Sequence, residues 1–299
     1  MPQCGCRGGL HQPPSLFPLY IHRGGGSAAG GASVPPCERT FTLDARAAAA
    51  SPAKRARTRI SITVEQGWHA RVHELGTAVW ESSAVVLRWL ERHRALVDGR
   101  RVLELGAGPG LVAIACAALG ASCVVCTDID ADVLSIARRN VARSVRDGVI
   151  EAGSVQVVEY GWGEGAAALS ALSSSSTMEP FDLIIGADIM YLPDLYEEIA
   201  QDVRAMLRPR SGVALLVATL RGVALPKTLV ERIVDSTEEG GAAAAAEEVV
   251  NVDGLGCATA LVATWLDATP FVAASVETLP ATWARWAPKG IAMCVVEWA

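Results

Sequence analysis

The sequence predicts a doubly wound α/β fold with a mainly parallel sheet, preceded by a β-hairpin and a helix. Three observations lead to this prediction. Apolar segments of strand length alternate with helical segments between residues 101 and 220, as expected of a parallel sheet with helices on both faces. A glycine-rich turn follows the first of these strands, and an acidic residue ends the second.

The hairpin and the helix come first. Residues 41–43 and 59–65 are the predicted hairpin strands, and the second alternates apolar and polar residues, as a half-buried strand does. A helix ending near residues 98–99 is predicted next, because apolar residues recur along it at three- and four-residue steps: Trp80, Ala84, Leu87 and Leu90.

The alternating elements follow in order. Strands are predicted over residues 101–105, 122–127, 155–160, 181–187 and 212–220. Helices are predicted over residues 111–119 and 130–146, then from Pro193 and from about Lys227. Asp130 is placed to cap its helix, and Pro193 suits a first helical position. Residues 271–276 and 291–298 are predicted to close the sheet as an antiparallel pair.

Composition divides the chain into two parts. Residues 1–37 are rich in Gly, Pro and Ser and lack periodicity, so we predict a disordered tail before a domain over residues 38–299. No apolar run approaches the roughly 18 residues that span a bilayer, and no secretory signal is evident. We therefore expect a cytoplasmic protein without membrane contact. The basic residues 54–57 leave nuclear import open, and the acid-poor tail leaves an organellar transit peptide open.

Charge is uneven along the chain. Residues 1–59 carry eight Lys or Arg and two acids, which leaves −12 for residues 60–299 of a chain whose net charge is −6. An acidic domain is poorly suited to bind a phosphate backbone and is better suited to a basic or neutral partner. We therefore expect no nucleic-acid partner.

Cys123 and Cys126 have the C-x-x-C spacing of some metal sites. They lie in a predicted strand, where residues three apart face opposite sides of the sheet. The two thiols therefore cannot share an ion, and we predict reduced core cysteines and no bound metal.

The most informative segment is the turn after the first parallel strand, Gly106-Ala107-Gly108-Pro109-Gly110. Its G-x-G-x-G spacing lets the backbone bend sharply and approach a ligand at the carboxyl end of the strand. A dinucleotide site has G-x-G-x-x-G, so the third glycine is one residue early here. Glu104 would also face an anionic pyrophosphate unfavourably. Both features favour a cationic ligand without phosphate, such as S-adenosylmethionine.

Asp128 ends the second parallel strand, 22 residues after Gly106. A carboxylate at this position can accept hydrogen bonds from the ribose hydroxyls of an adenosine. The alternative is that Asp128 caps the following helix, but Asp130 is better placed to do so.

The motifs together resemble those of seven-β-strand (class I) S-adenosylmethionine-dependent methyltransferases, in particular the protein-lysine methyltransferases of the methyltransferase-like group. The likeness runs from about Phe41 to the C-terminus. Five segments carry it: residues 75–81 (LGTAVWE), 104–111 (ELGAGPGL), 127–128 (TD), 161–163 (GWG) and 181–191 (FDLIIGADIMY). The resemblance implies a Rossmann-like seven-stranded sheet, S-adenosylmethionine as cofactor, and methyl transfer to the side-chain amine of lysine in a protein substrate.

The resemblance also implies which residues bind the cofactor. They are Trp80, Glu104, Gly106, Ala107, Gly108, Asp128, Trp162 and Ala187. Trp80 would contact the methionine end, the three loop residues would form the floor, and Trp162 and Ala187 would line the adenine. Ordinary core packing is the alternative for the two tryptophans, since large aromatic side chains are usually buried.

Asp188 and Tyr191 match the Asp-x-x-Tyr motif of the family and are the implied catalytic residues. The carboxylate would hold the substrate amine, and the ring would exclude water and stabilise cationic character. The alternative for Asp188 is a turn cap. Amine-directed nucleic-acid methyltransferases have an Asn/Asp-Pro-Pro-aromatic motif, which this chain lacks. The sequence departs from the family at Pro109, where Thr or Ser is usual.

Other functions share this fold. The acceptor could be a protein histidine or arginine, or a small molecule, and a third possibility is a non-catalytic protein that binds the cofactor. The intact loop and the intact Asp188 and Tyr191 argue against the last of these.

Overall fold

A computed structural model describes residues 37–46, 57–67, 72–165, 179–219, 226–234, 261–266 and 291–298. The strands are β1 (Cys37–Arg46), β2 (Arg57–Gln66), β3 (Arg101–Leu105), β4 (Cys123–Asp128), β5 (Val155–Glu159), β6 (Leu183–Ala187), β7 (Val213–Thr219), β8 (Leu261–Leu266) and β9 (Ile291–Trp298). The α-helices are α1 (Glu81–Arg92), α2 (Leu111–Ala118), α3 (Ala131–Arg146), α4 (Tyr196–Met206) and α5 (Pro226–Val234). Short 3₁₀ helices cover Val72–Thr77, Arg94–Leu96 and Pro193–Leu195.

Seven strands form one sheet in the order β5-β4-β3-β6-β7-β9-β8. Strands β3 to β7 pair in parallel, whereas β9 lies antiparallel between β7 and β8. The carboxyl ends of β3, β4 and β6 therefore lie at one edge of the sheet, where the predicted site residues begin. The mainly parallel sheet and the separate β1–β2 hairpin confirm the predicted fold class.

The two faces of the sheet bury different helices. One face packs against α1, α2, α3 and the hairpin through side chains such as Val102, Val124 and Ile185. The other packs against α4 and α5 through Leu103, Val125 and neighbouring residues. Alternation along each strand produces this division, because successive side chains point to opposite faces.

The prediction that Cys123 and Cys126 face opposite sides of the sheet is confirmed. Cys126 lies in the core beside α1–α3, and Cys123 packs against the core on the opposite face. Both are free thiols. The predicted cap of α3 is also confirmed, since one carboxylate oxygen of Asp130 accepts the N–H groups of Asp132 and Val133 at 2.8 and 3.2 Å.

Two predictions need correction. Helix α1 ends at Arg92, before the predicted residues 98–99, because His93 leaves the helical conformation (φ −113°, ψ 36°). The His93 ring stacks on Trp89 at 4.2 Å between centroids, and its Nδ1 is 2.9 Å from the Trp89 carbonyl oxygen. At the other end of the chain, Ile291–Trp298 pairs with Leu261–Leu266, a strand that was not predicted.

Several predictions lie outside the described residues: most of the tail, the 44–58 loop beyond the strand ends, and the strand over residues 271–276. The hairpin strands are longer than predicted and pair from Cys37–Gln66 to Arg46–Arg57. Within the described ranges, no helix is long and apolar enough to cross a membrane.

Candidate active site

The glycine loop connects β3 to α2 at the carboxyl edge of the sheet. Gly106, Gly108 and Gly110 all have positive φ, at 62°, 57° and 81°, a region that residues with a Cβ rarely adopt. A Cβ on Gly108 would lie 2.9 Å from the Gly76 carbonyl oxygen. The loop therefore needs glycine both for its turn and for its close approach to the segment before α1.

Asp128 ties this loop to the end of β4. Its carboxylate accepts the N–H of Gly108 at 3.0 Å and the N–H of Asp130 at 3.2 Å. Burial raises the pKa of the carboxyl above its ordinary value, and these backbone N–H groups act in the opposite direction. Because Asp130 caps α3, Asp128 remains available at the loop.

Glu104 lies beneath the loop. It is 2% exposed, and its carboxylate accepts the N–H of Ala113 in the first turns of α2 at 2.7 Å. Burial, together with the charge of Asp128, raises the pKa of Glu104 to about 8. This position indicates that Glu104 supports the loop from below, and its predicted contact with a cofactor stays a prediction.

Trp162 stands across the loop from β3. A Cβ on Gly106 would lie 3.2 Å from the Trp162 ring and 2.9 Å from Ile189. The same indole meets the Tyr191 ring edge-on, at 6.3 Å between centroids and 70° between planes. The partly buried Trp162 thus joins the glycine loop to the segment after β6.

Two residues that the sequence analysis missed hold the Trp162 segment. Asp202 of α4, which is 1% exposed, accepts the Tyr160 hydroxyl at 2.6 Å and the Gly163 N–H at 2.9 Å. The Tyr160 hydroxyl accepts the Gly165 N–H at 3.2 Å. A sequence signal existed, because Asp202 falls on the apolar face of α4, where an acid needs a partner.

Asp188 directly follows β6 in a left-handed conformation, with φ 68°. It is 7% exposed, and its carboxylate accepts the backbone N–H of Thr219 at 2.9 Å and the Thr219 hydroxyl at 3.1 Å. Thr219 was not predicted as a site residue. It ends β7, which pairs in parallel with β6, and the carboxyl ends of parallel neighbours meet at the same edge.

Tyr191 is 38% exposed and is one of the few large apolar or aromatic side chains at the surface of the described residues. Burial raises the pKa of its hydroxyl, and the charges of Asp128 and Asp188 raise it further. The Tyr191 hydroxyl therefore interacts electrostatically with both carboxylates.

The remaining predicted site residues are Trp80, Ala107 and Ala187. Trp80 is the N-cap residue of α1, and its indole N–H donates to the Leu75 carbonyl at 3.1 Å. Ala107 donates its N–H to Thr127 at 2.8 Å, which joins the loop to β4. Ala187 is the last residue of β6 and is buried.

The site can therefore bind a ligand that carries positive charge. Two carboxylates, Asp128 and Asp188, lie near enough to Tyr191 to raise the pKa of its hydroxyl, and the glycine loop exposes backbone beside them. Among the residues that the structure describes, no three His, Cys, Asp or Glu side chains cluster as metal ligands.

Comparison with known proteins identifies the family. Residues 58–228, more than half of the chain, match a family model described as lysine methyltransferase. The chain belongs to this family. It is an S-adenosylmethionine-dependent methyltransferase, and the predicted enzyme class and cofactor are confirmed.

Individual curated proteins and solved structures also match parts of the chain. The chain is 37% identical over 162 residues to protein N-lysine methyltransferase METTL21A of Danio rerio, covering 54% of this chain and 67% of the relative. It is 31% identical over 172 residues to protein N-terminal and lysine N-methyltransferase efm7 of Emericella nidulans, covering 56% and 66%. Among solved structures, the T. thermophilus 16S rRNA methyltransferase RsmC with AdoMet and guanosine aligns with 20% identity and a TM-score of 0.42, covering 66% of this chain and 46% of that one.

Proposed function

We propose that this enzyme transfers the methyl group of S-adenosylmethionine to the side-chain amine of a lysine in a protein substrate, with Asp188 and Tyr191 receiving the amine. The observation that supports this proposal most directly is the position of Asp188. Its carboxylate lies one residue beyond β6, at the sheet edge that holds the glycine loop, and both of its oxygens are oriented by Thr219.

The cofactor would bind along the glycine loop and the end of β4. Asp128, partly exposed at the end of β4, would bind the ribose hydroxyls, and the backbone from Gly106 to Gly108 would form the floor. Trp162 and Ala187 would line the adenine, and Trp80 would contact the methionine end. The positive-φ glycines leave open backbone where any side chain would clash with Ile189, Trp162 or Gly76.

The acceptor must reach the methyl group as a neutral amine. The cofactor supplies a methyl group on a sulfonium sulfur, which keeps the electron pair of the broken S–C bond and becomes a thioether. The lysine nitrogen would use its lone pair to form the new N–C bond, and the resulting ammonium would release its proton to solvent water. Asp188 would accept an N–H of the amine and align its lone pair, which is the main requirement of an in-line displacement. Tyr191 would cover the amine and stabilise its growing positive charge.

The charge of the chain suits a basic protein segment. Residues 60–299 carry a net charge of −12, and Asp188 and Asp128 add local negative potential around Tyr191. Lysine-rich segments are attracted to such a surface, whereas a nucleic-acid backbone is repelled.

A labelling experiment tests the proposal. Purified enzyme, S-adenosylmethionine with a tritiated methyl group and a cell lysate are incubated, and the labelled band is mapped by mass spectrometry. We expect label on a lysine side chain, and we expect Asp188→Ala to remove most of it while cofactor affinity stays within about twofold. Label on histidine, arginine, nucleic acid or a small molecule would contradict the proposal.

Asp182→Ala is a matched control for that variant. Asp182 directly precedes β6, at the opposite edge of the sheet, and its carboxylate also accepts a backbone N–H, that of Arg101 at 2.9 Å. If Asp182→Ala and Asp188→Ala lose label to the same degree, the loss reflects stability and not the position of Asp188.

A further inference from the structure

A line of two hydroxyl groups, the buried one of Ser82 and the partly buried one of Thr219, leads from α1 to Asp188. The Ser82 hydroxyl oxygen lies 3.1 Å from the Thr219 hydroxyl oxygen, which lies 3.1 Å from Oδ2 of Asp188. Ser82 is 0% exposed, although serine is usually found at the surface. A buried hydroxyl at this position therefore needs a polar partner, and Thr219 provides one.

Donor counting determines the direction of the two bonds. An ionised carboxylate only accepts, so Thr219 donates its single hydroxyl proton to Asp188. Ser82 must then donate to Thr219. Each bond polarises the next in such a chain, which strengthens the final bond to the carboxylate.

The backbone of Asp188 is held by the same strand. Its N–H donates to the Val217 carbonyl at 2.7 Å, and the N–H of Thr219 donates to Oδ1. A non-glycine residue at φ 68° is uncommon and persists only where its surroundings hold it. The end of β7 thus supports both the unusual backbone and the orientation of the carboxylate.

We propose that Thr219, assisted by Ser82, is a positioning residue that fixes the plane of the Asp188 carboxylate for the incoming lysine amine. This inference rests on the proposed function of Asp188. Ser82 is two residues after Trp80, so the same contact ties the acceptor side of the site to the start of α1. A rotated carboxylate would still bind the amine but would direct the lone pair of the amine nitrogen away from the methyl group. The rate of methyl transfer would then fall, and the affinity for the cofactor would stay unchanged.

Valine and serine at position 219 separate this role from simple packing. Thr219→Val keeps the shape and the backbone N–H but removes the hydroxyl, whereas Thr219→Ser keeps the hydroxyl and loses a methyl group. We expect Thr219→Val to lower kcat roughly tenfold or more, because a hydrogen bond to a charged group is lost. Thr219→Ser should restore kcat to within about threefold of wild type, and Ser82→Ala should fall between the two.

Two quantities are measured for each purified variant. The first is the initial rate at which the tritiated methyl group enters the substrate protein of the labelled band, as a function of the concentration of that protein. The second is the Kd for S-adenosylmethionine, from calorimetry. Thr63→Val is the matched control, because Thr63 shares a hydroxyl contact of 2.9 Å with Thr40 on the hairpin. It should leave kcat and Kd unchanged.

The outcomes separate this inference from the proposed function. If Asp188→Ala keeps normal turnover, the proposed function itself fails. If Asp188→Ala is inactive but Thr219→Val has normal kcat, only the inference is overturned. It is also overturned if Thr219→Val weakens cofactor binding in parallel, or if Thr219→Ser is as slow as Thr219→Val. In the Asp188→Ala background, Thr219→Val should cost no further rate, because its effect acts through the missing carboxylate.

Discussion

Replacing Asp128 with alanine should weaken cofactor binding far more than it weakens the fold. The carboxylate accepts the N–H of Gly108 at 3.0 Å and that of Asp130 at 3.2 Å, and in the proposed complex it also accepts two ribose hydroxyls. A hydrogen bond to a charged group contributes about 1.5–3 kcal/mol. Loss of the two ribose bonds alone therefore raises Kd roughly a hundredfold to ten-thousandfold.

Water can replace part of the loop contacts, because Asp128 is partly exposed. We therefore expect only about 1–2 kcal/mol of lost stability, measured by urea denaturation. Asp128→Asn keeps one acceptor oxygen and should bind with intermediate affinity. Isothermal calorimetry with S-adenosylmethionine and with its demethylated product measures these differences directly.

Asp130→Ala provides the control. Asp130 is an acid at the same edge of the sheet, but its carboxylate caps α3. Its removal should cost about 1 kcal/mol of stability and leave Kd near wild type. Wild-type affinity in Asp128→Ala would refute the ribose assignment, and equal losses in the two variants would refute the claim that position 128 is special.

Three further predictions follow from buried or crowded positions. Glu104 has a pKa of about 8 when folded against 4.5 as a free side chain, so the folded state holds the extra proton and stability falls as pH rises between these values. Glu104→Gln should therefore flatten the pH dependence of unfolding free energy by up to about 1.4 kcal/mol per unit, and an unchanged slope would contradict the assignment. Asp202→Asn should lower S-adenosylmethionine affinity by roughly tenfold by loosening the Trp162 segment, whereas Asp182→Asn should not. Gly106→Ala and Gly148→Ala should each lose about 1–2 kcal/mol of stability, since both glycines have positive φ. Only Gly106→Ala should also lose affinity, because nothing lies within 4 Å of a Cβ on Gly148.

Local features of the fold could be predicted because they depend on short segments of sequence. Strand β3 spans Arg101–Leu105 as predicted, and Asp130 caps α3 as predicted. The opposite facing of Cys123 and Cys126 follows from strand periodicity alone. Hydrophobic periodicity and capping depend on neighbours within a few residues, so no knowledge of the tertiary structure is needed.

The hairpin shows where this local information ends. Asn140 of α3 accepts the N–H of Glu65 at 2.7 Å and donates to the carbonyls of Glu65 and Pro109, both at 2.9 Å. This fully buried amide joins β2 to the glycine loop at Pro109. Helical spacing places Asn140 on the apolar face of α3, with Val133 and Ile136, so the sequence indicates a buried amide. It does not identify the partners, because Glu65 and Pro109 lie 75 and 31 residues away along the chain.

The sequence by itself determined the order of strands and helices as far as β7, the glycine loop, the acid at the end of β4 and the Asp-x-x-Tyr segment. Only the tertiary structure decided that Thr219 and Ser82 support Asp188, that Asp202 holds the Trp162 segment, and that β8 pairs with β9. The physical reason is the distance along the chain. These partners are 27 to 137 residues apart, and such contacts arise only when the packing of the whole sheet brings distant segments of the chain together.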